Sequence, residues 1–421
     1  MERSPLIKIV FLFCLLLFTD WLSGQSVKIL FDATKAESAG NADWVIDADV
    51  HNLGFGSGPA VTGSGNESNP QRFPTPAQSG ITGSTPETFW TGSLSSWAVD
   101  CVKKGYSVET LPYNVSITYG NASNPQDLSN YKVFIVCEPN IVFTAAEKTA
   151  IMHFVQNGGG LFMVSDHDVS DRNGDGWDSP HIWNDLMSSN SVQNYPFGIT
   201  FDYANFSETS TNIPSLPTDS LLHGPMGNVT SVKWSNGTSM TLSTAQNSTV
   251  KGVVYKTGSS FGSTNVMMAY ARFGSGKVAA LSDSSPPDDG TGDPNDVLYN
   301  GWTLDAGGNH ERLIMNATIW LATTNTLTTG IESQLNNNSV SVFPNPTTGI
   351  ITLNFAGKSE HISIEVINEL GQLVKTEKIN DCQNGYSQDI DLGSLQKGSY
   401  ILRIITNETI EVKKILLINL Q

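Results

Sequence analysis

Residues 131–168 read YKVFIVCEPNIVFTAAEKTAIMHFVQNGGGLFMVSDHD, and this stretch decides the fold class. The run YKVFIVCEP has the composition of a core strand that ends at Pro139. An amphipathic helix follows, with Thr144 as its cap, Glu147 three residues on and glycines at 158–160 as its stop. The strand LFMVS comes directly after the glycines. A strand, a helix and a second strand in this order predict a parallel sheet flanked by helices.

The same alternation runs through residues 26–323 and predicts one α/β domain. The run VKILFD is a first buried strand that ends at Asp32. The runs KGVVYKT, NVMMAYARF and KVAALSD extend the sheet with at least one hairpin, and NHERLIMNATIWLATT closes the domain as a helix. Two long polar inserts, 53–91 and 195–248, interrupt the pattern. Loops of that length are uncommon unless they are functional or disordered.

The two ends of the chain differ from this domain in composition. Residues 1–25 begin with positive charges, continue with a short apolar run and end in small residues. This pattern predicts a secretory signal peptide. A membrane span needs about 20 apolar residues, so we expect no transmembrane segment in the mature chain. Residues 324–338 form a polar linker, and residues 339–421 are short alternating strands of a small all-β sandwich.

Charge and cysteine content narrow the class of protein. The chain has 40 Asp and Glu against 23 Lys and Arg, a balance that repels phosphate backbones and anionic membranes. We therefore expect no nucleic-acid partner. Cys14 leaves with the signal peptide, and the remaining Cys101, Cys137 and Cys382 form no disulfide framework. We expect Cys101 and Cys137 to be buried free thiols, with a bridge between them as the alternative.

The tail from Val340 to Gln421 resembles the type A C-terminal sorting domain of the type IX secretion system of Bacteroidetes. The resemblance rests on VFPNPTTG, VINELGQLV and LQKGSYILRI, in the order that the family has them. It implies that the type IX secretion machinery is a partner. It also implies passage through the periplasm and outer membrane, removal of the tail, and a secreted or cell-surface protein.

Residues 27–323 resemble the class I glutamine amidotransferase-like superfamily, and within it the trehalose-utilisation-type proteins. The matching runs are YKVFIVCEP, FGSGKVAALSDSS and NHERLIMNATIWLA. The resemblance implies a flavodoxin-like, mostly parallel sheet with helices on both faces. In the amidotransferases a cysteine nucleophile follows a strand in a G-x-C-x-G elbow. Here Ser165-Asp166-His167 stands in that place without the elbow glycines, and Cys137 precedes Glu138-Pro139, so glutaminase activity is disfavoured.

Acidic residues follow several of the predicted strands. Asp166, His167 and Asp168 come directly after LFMVS, Asp32 ends the first strand, and Asp283 follows KVAAL. Ligands of open α/β sheets bind outside the carboxyl ends of the strands. A histidine between carboxylates can be oriented as a general base, or the three can ligate a transition metal. These five residues are the predicted catalytic set, and the alternative is an acidic pair that caps a loop.

The spacing Asp171-x-Asn173-x-Asp175-Gly176 fits the first half of an EF-hand calcium loop. The twelfth position holds Ile182 in place of a bidentate glutamate, which excludes a true EF-hand. We expect a calcium clip made by Asp171, Asn173, Asp175 and Asp178, with a solvated turn as the alternative. A second divalent metal of unknown identity would belong to the strand-end residues.

Two functions of different classes remain open. The first is a metal-assisted hydrolase that acts on polysaccharide or its substituents, and it predicts that Asp32, His167 and Asp283 share one cleft. The second is a non-catalytic surface protein, stabilised by calcium, that binds carbohydrate or protein. H-E-x-x-H does not occur in the chain, so no zinc-hydrolase signature decides between them.

Overall fold

A computed structural model describes the protein in several stretches. The described residues are 27–38, 42–47, 78–112, 115–292, 299–305, 307–323, 340–355, 359–368, 373–383, 385–405 and 410–419. The predicted signal peptide, the predicted linker, and Asp293 and Asp296 of the acidic stretch that follows KVAAL lie outside them. The chain divides into two compact units, with the boundary after Asn325.

The first unit contains a large sheet and helices. Its strands are β1 (Lys28–Asp32), β2 (Ser107–Leu111), β3 (Val133–Cys137), β4 (Gly160–Val164), β5 (Ile199–Phe201), β6 (Phe206–Ser210), β7 (His223–Gly224), β8 (Gly227–Asn228), β9 (Val232–Gly237), β10 (Met240–Leu242), β11 (Lys251–Tyr255), β12 (Val266–Phe273) and β13 (Gly276–Leu281). Its helices are α1 (Ser95–Lys103), α2 (Ala145–Gln156), α3 (Ser179–Ser188), α4 (Gly301–Leu304) and α5 (Asn309–Ala322).

The large sheet has nine strands in the order β2-β1-β3-β4-β13-β12-β10-β5, with β11 paired to β12. The five strands β2, β1, β3, β4 and β13 run parallel. The other four are antiparallel to their neighbours, and β12 and β13 form the predicted hairpin. The sheet is therefore mixed, which is consistent with the α/β prediction. The insert at 195–248, expected as a long loop, contributes β5 and β10 to it.

The parallel strands are buried on both faces, so their side chains alternate between two cores. Ile29 and Phe31 of β1 belong to the core that includes Trp97 of α1 and Leu313 of α5. Leu30 belongs to the opposite core, which residues of α2 and α3 complete. Helices therefore cover both faces of the sheet. Cys101 and Cys137 are buried free thiols, as predicted.

Helix α2 begins and ends where the sequence predicts. Thr144 accepts a hydrogen bond from the Glu147 amide, and the Glu147 carboxylate accepts one from the Thr144 amide, which completes a capping box. Gly160 opens β4 at a point where α5 crosses closely. A Cβ at Gly160 would lie 2.8 Å from Cβ of Leu321, so this position requires glycine.

The second unit is all β within its described residues. Its strands are β14 (Val340–Phe343), β15 (Ile350–Phe355), β16 (Ser359–Asn368), β17 (Leu373–Cys382), β18 (Ser387–Asp391), β19 (Gly398–Ile405) and β20 (Ile410–Leu417). They form a three-stranded sheet, β14-β15-β18, and a four-stranded sheet, β17-β16-β19-β20, both antiparallel. One apolar core contains side chains from both sheets, as a sandwich requires.

Candidate functional site

Three acidic residues leave the sheet side by side at the carboxyl edge of its parallel strands. Val164 of β4 pairs in register with Cys137 of β3 and with Leu281 of β13. The chain then continues into Glu138, into Ser165-Asp166 and into Ser282-Asp283. The Glu138 amide still donates to the Val164 carbonyl over 3.0 Å, so the strands stay together up to this edge. The parallel register brings Glu138, Asp166 and Asp283 to one place.

Glu138 and Asp166 share the guanidinium of Arg172. Both carboxyl groups are buried, whereas the Arg172 side chain is partly exposed. Nε of Arg172 donates to Oε1 of Glu138, and Nη2 donates to Oδ2 of Asp166 over 3.3 Å. The guanidinium lies 5.9 Å from the centre of the Trp44 ring. One guanidinium thus contacts two buried acids, and it approaches them from the loop after β4.

Burial raises the pKa values of the acids at this edge. Burial raises the pKa of Asp166 well above its usual range, and the charges of Glu138 and Asp283 raise it further. Burial also raises the pKa of Asp283 to about 7 and that of Asp288 to about 8, against the lowering effect of backbone amides that donate to both. Acids with such values hold protons near neutral pH, which is the property of a general acid.

His167 lies between the buried acids and the surface. Its Nε2 is 3.7 Å from Oδ2 of Asp166, and its Nδ1 is 2.6 Å from the carbonyl oxygen of Asp168. Nδ2 of Asn205 is 3.1 Å from the same Nδ1. Both close contacts therefore position the imidazole through Nδ1, whereas Nε2 faces Asp166 beyond hydrogen-bond distance. A histidine held in this way can accept a proton on the side that faces Asp166.

Asp168, Asp178 and His181 form a group that could hold a metal ion. One ligand atom of each lies within 4.8 Å of the others, and no other such group occurs among the described residues. Nδ1 of His181 is 2.5 Å from Oδ1 of Asp178 and 3.9 Å from Oδ1 of Asp168. Asp178 also caps α3, because it accepts a hydrogen bond from the His181 amide. Helix capping is the alternative explanation for this pair.

The loop with calcium-clip spacing is organised by its own backbone. The Asp171 carboxylate accepts hydrogen bonds from the amides of Gly174, Asp175 and Gly176 over 2.8, 3.1 and 2.7 Å. The buried side chain of Asn173 donates to the Asn140 carbonyl. Of the four predicted calcium ligands, only Asp178 belongs to the metal-competent group. The calcium clip stays a prediction.

Asp32 lies in a neighbouring cluster of charges. It accepts a hydrogen bond from Thr34 over 3.0 Å, and burial raises its pKa while Glu37 and Lys35 lower it. Burial raises the pKa of the Cys137 thiol, and the charges of Glu37 and Asp166 raise it further, so the two clusters border the same strand end. Among the predicted residues, Asp166 links His167 electrostatically to Asp283, whereas Asp32 is grouped with Glu37.

The sequence did not lead us to predict Glu138 or Arg172 as site residues. Glu138 directly follows a core strand and has a φ of 48°. The loops after β1 and β4 contain the same rare conformation, at Ala36 with φ 58° and at Val169 with φ 67°. Such backbone is costly for residues other than glycine and clusters at functional sites. The available signal was an acidic residue directly after the core strand in YKVFIVCEP.

Comparison with known proteins identifies the second unit. Residues 341–419 match the family model of the secretion system C-terminal sorting domain. The chain is therefore exported, to the cell surface or beyond it, and the domain implies interaction with the type IX secretion machinery. No described helix is long or apolar enough to span a bilayer.

The predicted glutamine amidotransferase-like assignment of the first unit is not confirmed by a family match. No curated protein matches the chain. Among solved structures, the mmIFT52 N-terminal domain is similar at 15% identity with a TM-score of 0.38, covering 58% of this chain and 97% of that one. A likeness at this level does not extend to function.

Proposed function

We propose that this exported protein is a metal-assisted hydrolase that acts on polysaccharide or its substituents, with its centre at the carboxyl edge of the parallel strands. One observation carries the proposal. Asp168, Asp178 and His181 offer a mixed carboxylate and imidazole ligand set, and they adjoin His167, which faces the buried Asp166. A cation, an imidazole and a proton-holding acid in contact are the parts that hydrolysis needs.

The ligand types indicate a first-row divalent metal. Imidazole nitrogen suits Zn²⁺, and carboxylate oxygen suits Mn²⁺. A cation at Asp168, Asp178 and His181 would polarise an oxygen of the substrate and lower the pKa of a bound water. His167 would accept a proton at Nε2, because its Nδ1 is held by the Asp168 carbonyl.

The buried acids would supply the proton for the leaving group. Burial keeps Asp166 and Asp283 protonated at higher pH than an exposed aspartate, and the charges of Glu138 strengthen this effect. Arg172 holds Glu138 and Asp166 in place, and its fixed charge keeps part of the cluster ionised. Acid and base thus differ in environment, as two catalytic groups at one pH must.

The topology supports a flavodoxin-like assignment for this unit. Counted along the chain, the five parallel strands lie in the order 2-1-3-4-5, which is the flavodoxin order. The order reverses between β1 and β3, where ligands of such sheets bind. Asp32 ends β1 and Glu138 follows β3, so both border that switch point.

Metal analysis and hydrolysis together test the proposal. The chain without residues 1–25 would be purified, its metal content measured by plasma mass spectrometry, and its activity assayed on a panel of glycans and glycan esters. We expect Zn²⁺ or Mn²⁺ near one per chain, and loss of both metal and hydrolysis in His181→Gln. Bound calcium alone, without activity on the panel, supports the non-catalytic binding protein and the calcium clip instead.

A further inference from the structure

Two aromatic rings flank the candidate metal group and are open to solvent. Trp177 directly precedes Asp178 and is 40% exposed, and Tyr203 is 55% exposed. The Tyr203 ring stacks on the His181 ring at 3.9 Å between centroids and 9° between planes. Large aromatic side chains are mostly buried in cores or interfaces. Two such rings at one polar site therefore need an explanation other than core packing.

The loop before Trp177 is organised by hydrogen bonds to its own backbone. The Trp177 amide donates to Oδ1 of Asp175 over 2.9 Å. The Asp171 carboxylate fixes the preceding turn through three backbone amides. Gly174 and Gly176 have φ values of 71° and 92°, which the turn requires. The loop is therefore a hydrogen-bonded turn that ends in a partly exposed indole.

Hydrogen bonds of both neighbouring residues position Tyr203. Its neighbour Asp202 accepts hydrogen bonds from Ser239 and Thr241 over 2.6 and 2.8 Å. On the other side, the Ala204 carbonyl accepts the Asp168 amide over 2.9 Å. The backbone of Tyr203 is thus tied to a strand and to the candidate metal group. An aromatic side chain with both neighbours fixed loses little freedom when it binds a ligand.

Charge selects the class of ligand that these rings suit. The whole chain has a net charge of −17, and the loop itself carries Asp171 and Asp175. Its one cation, Arg172, is engaged by two buried carboxylates. Anionic polymers would therefore be repelled. Neutral sugars offer apolar C–H faces that stack on aromatic rings and hydroxyl groups that donate to carboxylates.

We propose that Trp177 and Tyr203 form a stacking platform for a neutral polysaccharide chain. The proposal deepens the proposed hydrolase function and rests on it for the location of the reacting bond. The platform holds the chain beside Asp168, Asp178 and His181, and it determines which polymers reach them.

Affinity electrophoresis in native gels tests the platform. The gels would contain hydroxyethylcellulose, mixed-linkage β-glucan, xylan or galactomannan, with alginate as the anionic polymer. We expect at least one neutral gel to retard the protein and alginate not to. In Trp177→Ala and Tyr203→Ala the binding should weaken on the order of fivefold each. Phe261→Ala is the matched control, because Phe261 is 54% exposed in the same unit but lies in the turn before β12, and its mobility should not change.

Several outcomes overturn the platform: no retardation in any neutral gel, retardation by alginate alone, or retardation that both aromatic variants keep. Asp168→Asn separates the platform from the hydrolase. Retardation that is lost in Asp168→Asn but kept in the aromatic variants assigns binding to the cation and overturns the platform. Retardation that depends on the rings, in a protein without hydrolytic activity, supports the platform and overturns the proposed function.

Discussion

Replacing Arg172 with methionine should destabilise the first unit strongly. Arg172 donates to Glu138 and Asp166, two carboxyl groups that are almost wholly inaccessible to solvent. Methionine preserves much of the side-chain length but removes the charge. Removing one partner of a buried ion pair costs about 3–5 kcal/mol, because the remaining charge stays buried without compensation.

A double-mutant cycle separates the energy of the Arg172–Glu138 interaction from the effect of lost side-chain packing. In Glu138→Gln the second carboxylate partner of Arg172 is still Asp166, so part of the penalty remains. We expect Arg172→Met to lose less stability in the Glu138→Gln background than in the natural chain, with a coupling of about 1–3 kcal/mol. Packing of the Arg172 stem is the same in both backgrounds and cancels.

Urea unfolding followed by tryptophan fluorescence is the assay. Every tryptophan precedes residue 325, so the signal reports the first unit and not the sorting domain. Arg312→Met is the control, because Arg312 makes one exposed hydrogen bond, to the Asn228 carbonyl, and its loss should cost under about 1 kcal/mol. A loss below 1 kcal/mol in Arg172→Met, or additive effects with Glu138→Gln, would refute the reasoning.

Three further predictions concern the same unit. Thr144→Ala should lower the free energy of unfolding by about 1 kcal/mol, because it removes the hydroxyl of a capping box, whereas Thr149→Ala in the same helix should change it by less than about 0.5 kcal/mol. Val169→Gly should raise the free energy of unfolding by about 1 kcal/mol, because Val169 has a φ of 67° and is 79% exposed. An unchanged midpoint of urea unfolding would show that the Val169 backbone is not strained. Stability should fall as pH rises from about 5 to 8, because the folded-state pKa of Asp288 is about 8 and the native state binds the extra proton below it. Asp288→Asn should flatten that slope by about 1 kcal/mol per pH unit, and equal slopes would exclude Asp288 as its source.

The parallel half of the sheet was predictable because its signals are local. Buried parallel strands are continuous apolar runs, and α2 has a capping box at one end and glycines at the other. The convergence of Asp166 and Asp283 follows from the same logic, since parallel strands end at one edge. The strands β5 and β10 were missed because they are three residues long and lie in a polar insert.

Several contacts of the site join residues that are far apart in the sequence, so the local sequence pattern predicts them less well than it predicts strands and helices. Arg172 reaches Glu138 across 34 positions, and no spacing rule connects them. Asp178 was predicted as a calcium ligand without His181, although their spacing of three residues at the start of a helix places them together. The positive φ of Glu138 is set by packing at the edge of the sheet, which residue type alone does not reveal.

The central claim is tested most directly by titrating Zn²⁺, and separately Mn²⁺, into the metal-stripped chain while acetate release from acetylated xylan is recorded. The matched variant is Asp178→Asn, which keeps a good helix cap but removes the carboxylate. We predict that hydrolysis rises in step with binding of about one ion per chain, and that Asp178→Asn neither binds nor hydrolyses. Binding that is unchanged in Asp178→Asn, or acetate release that is independent of the metal, would contradict the claim.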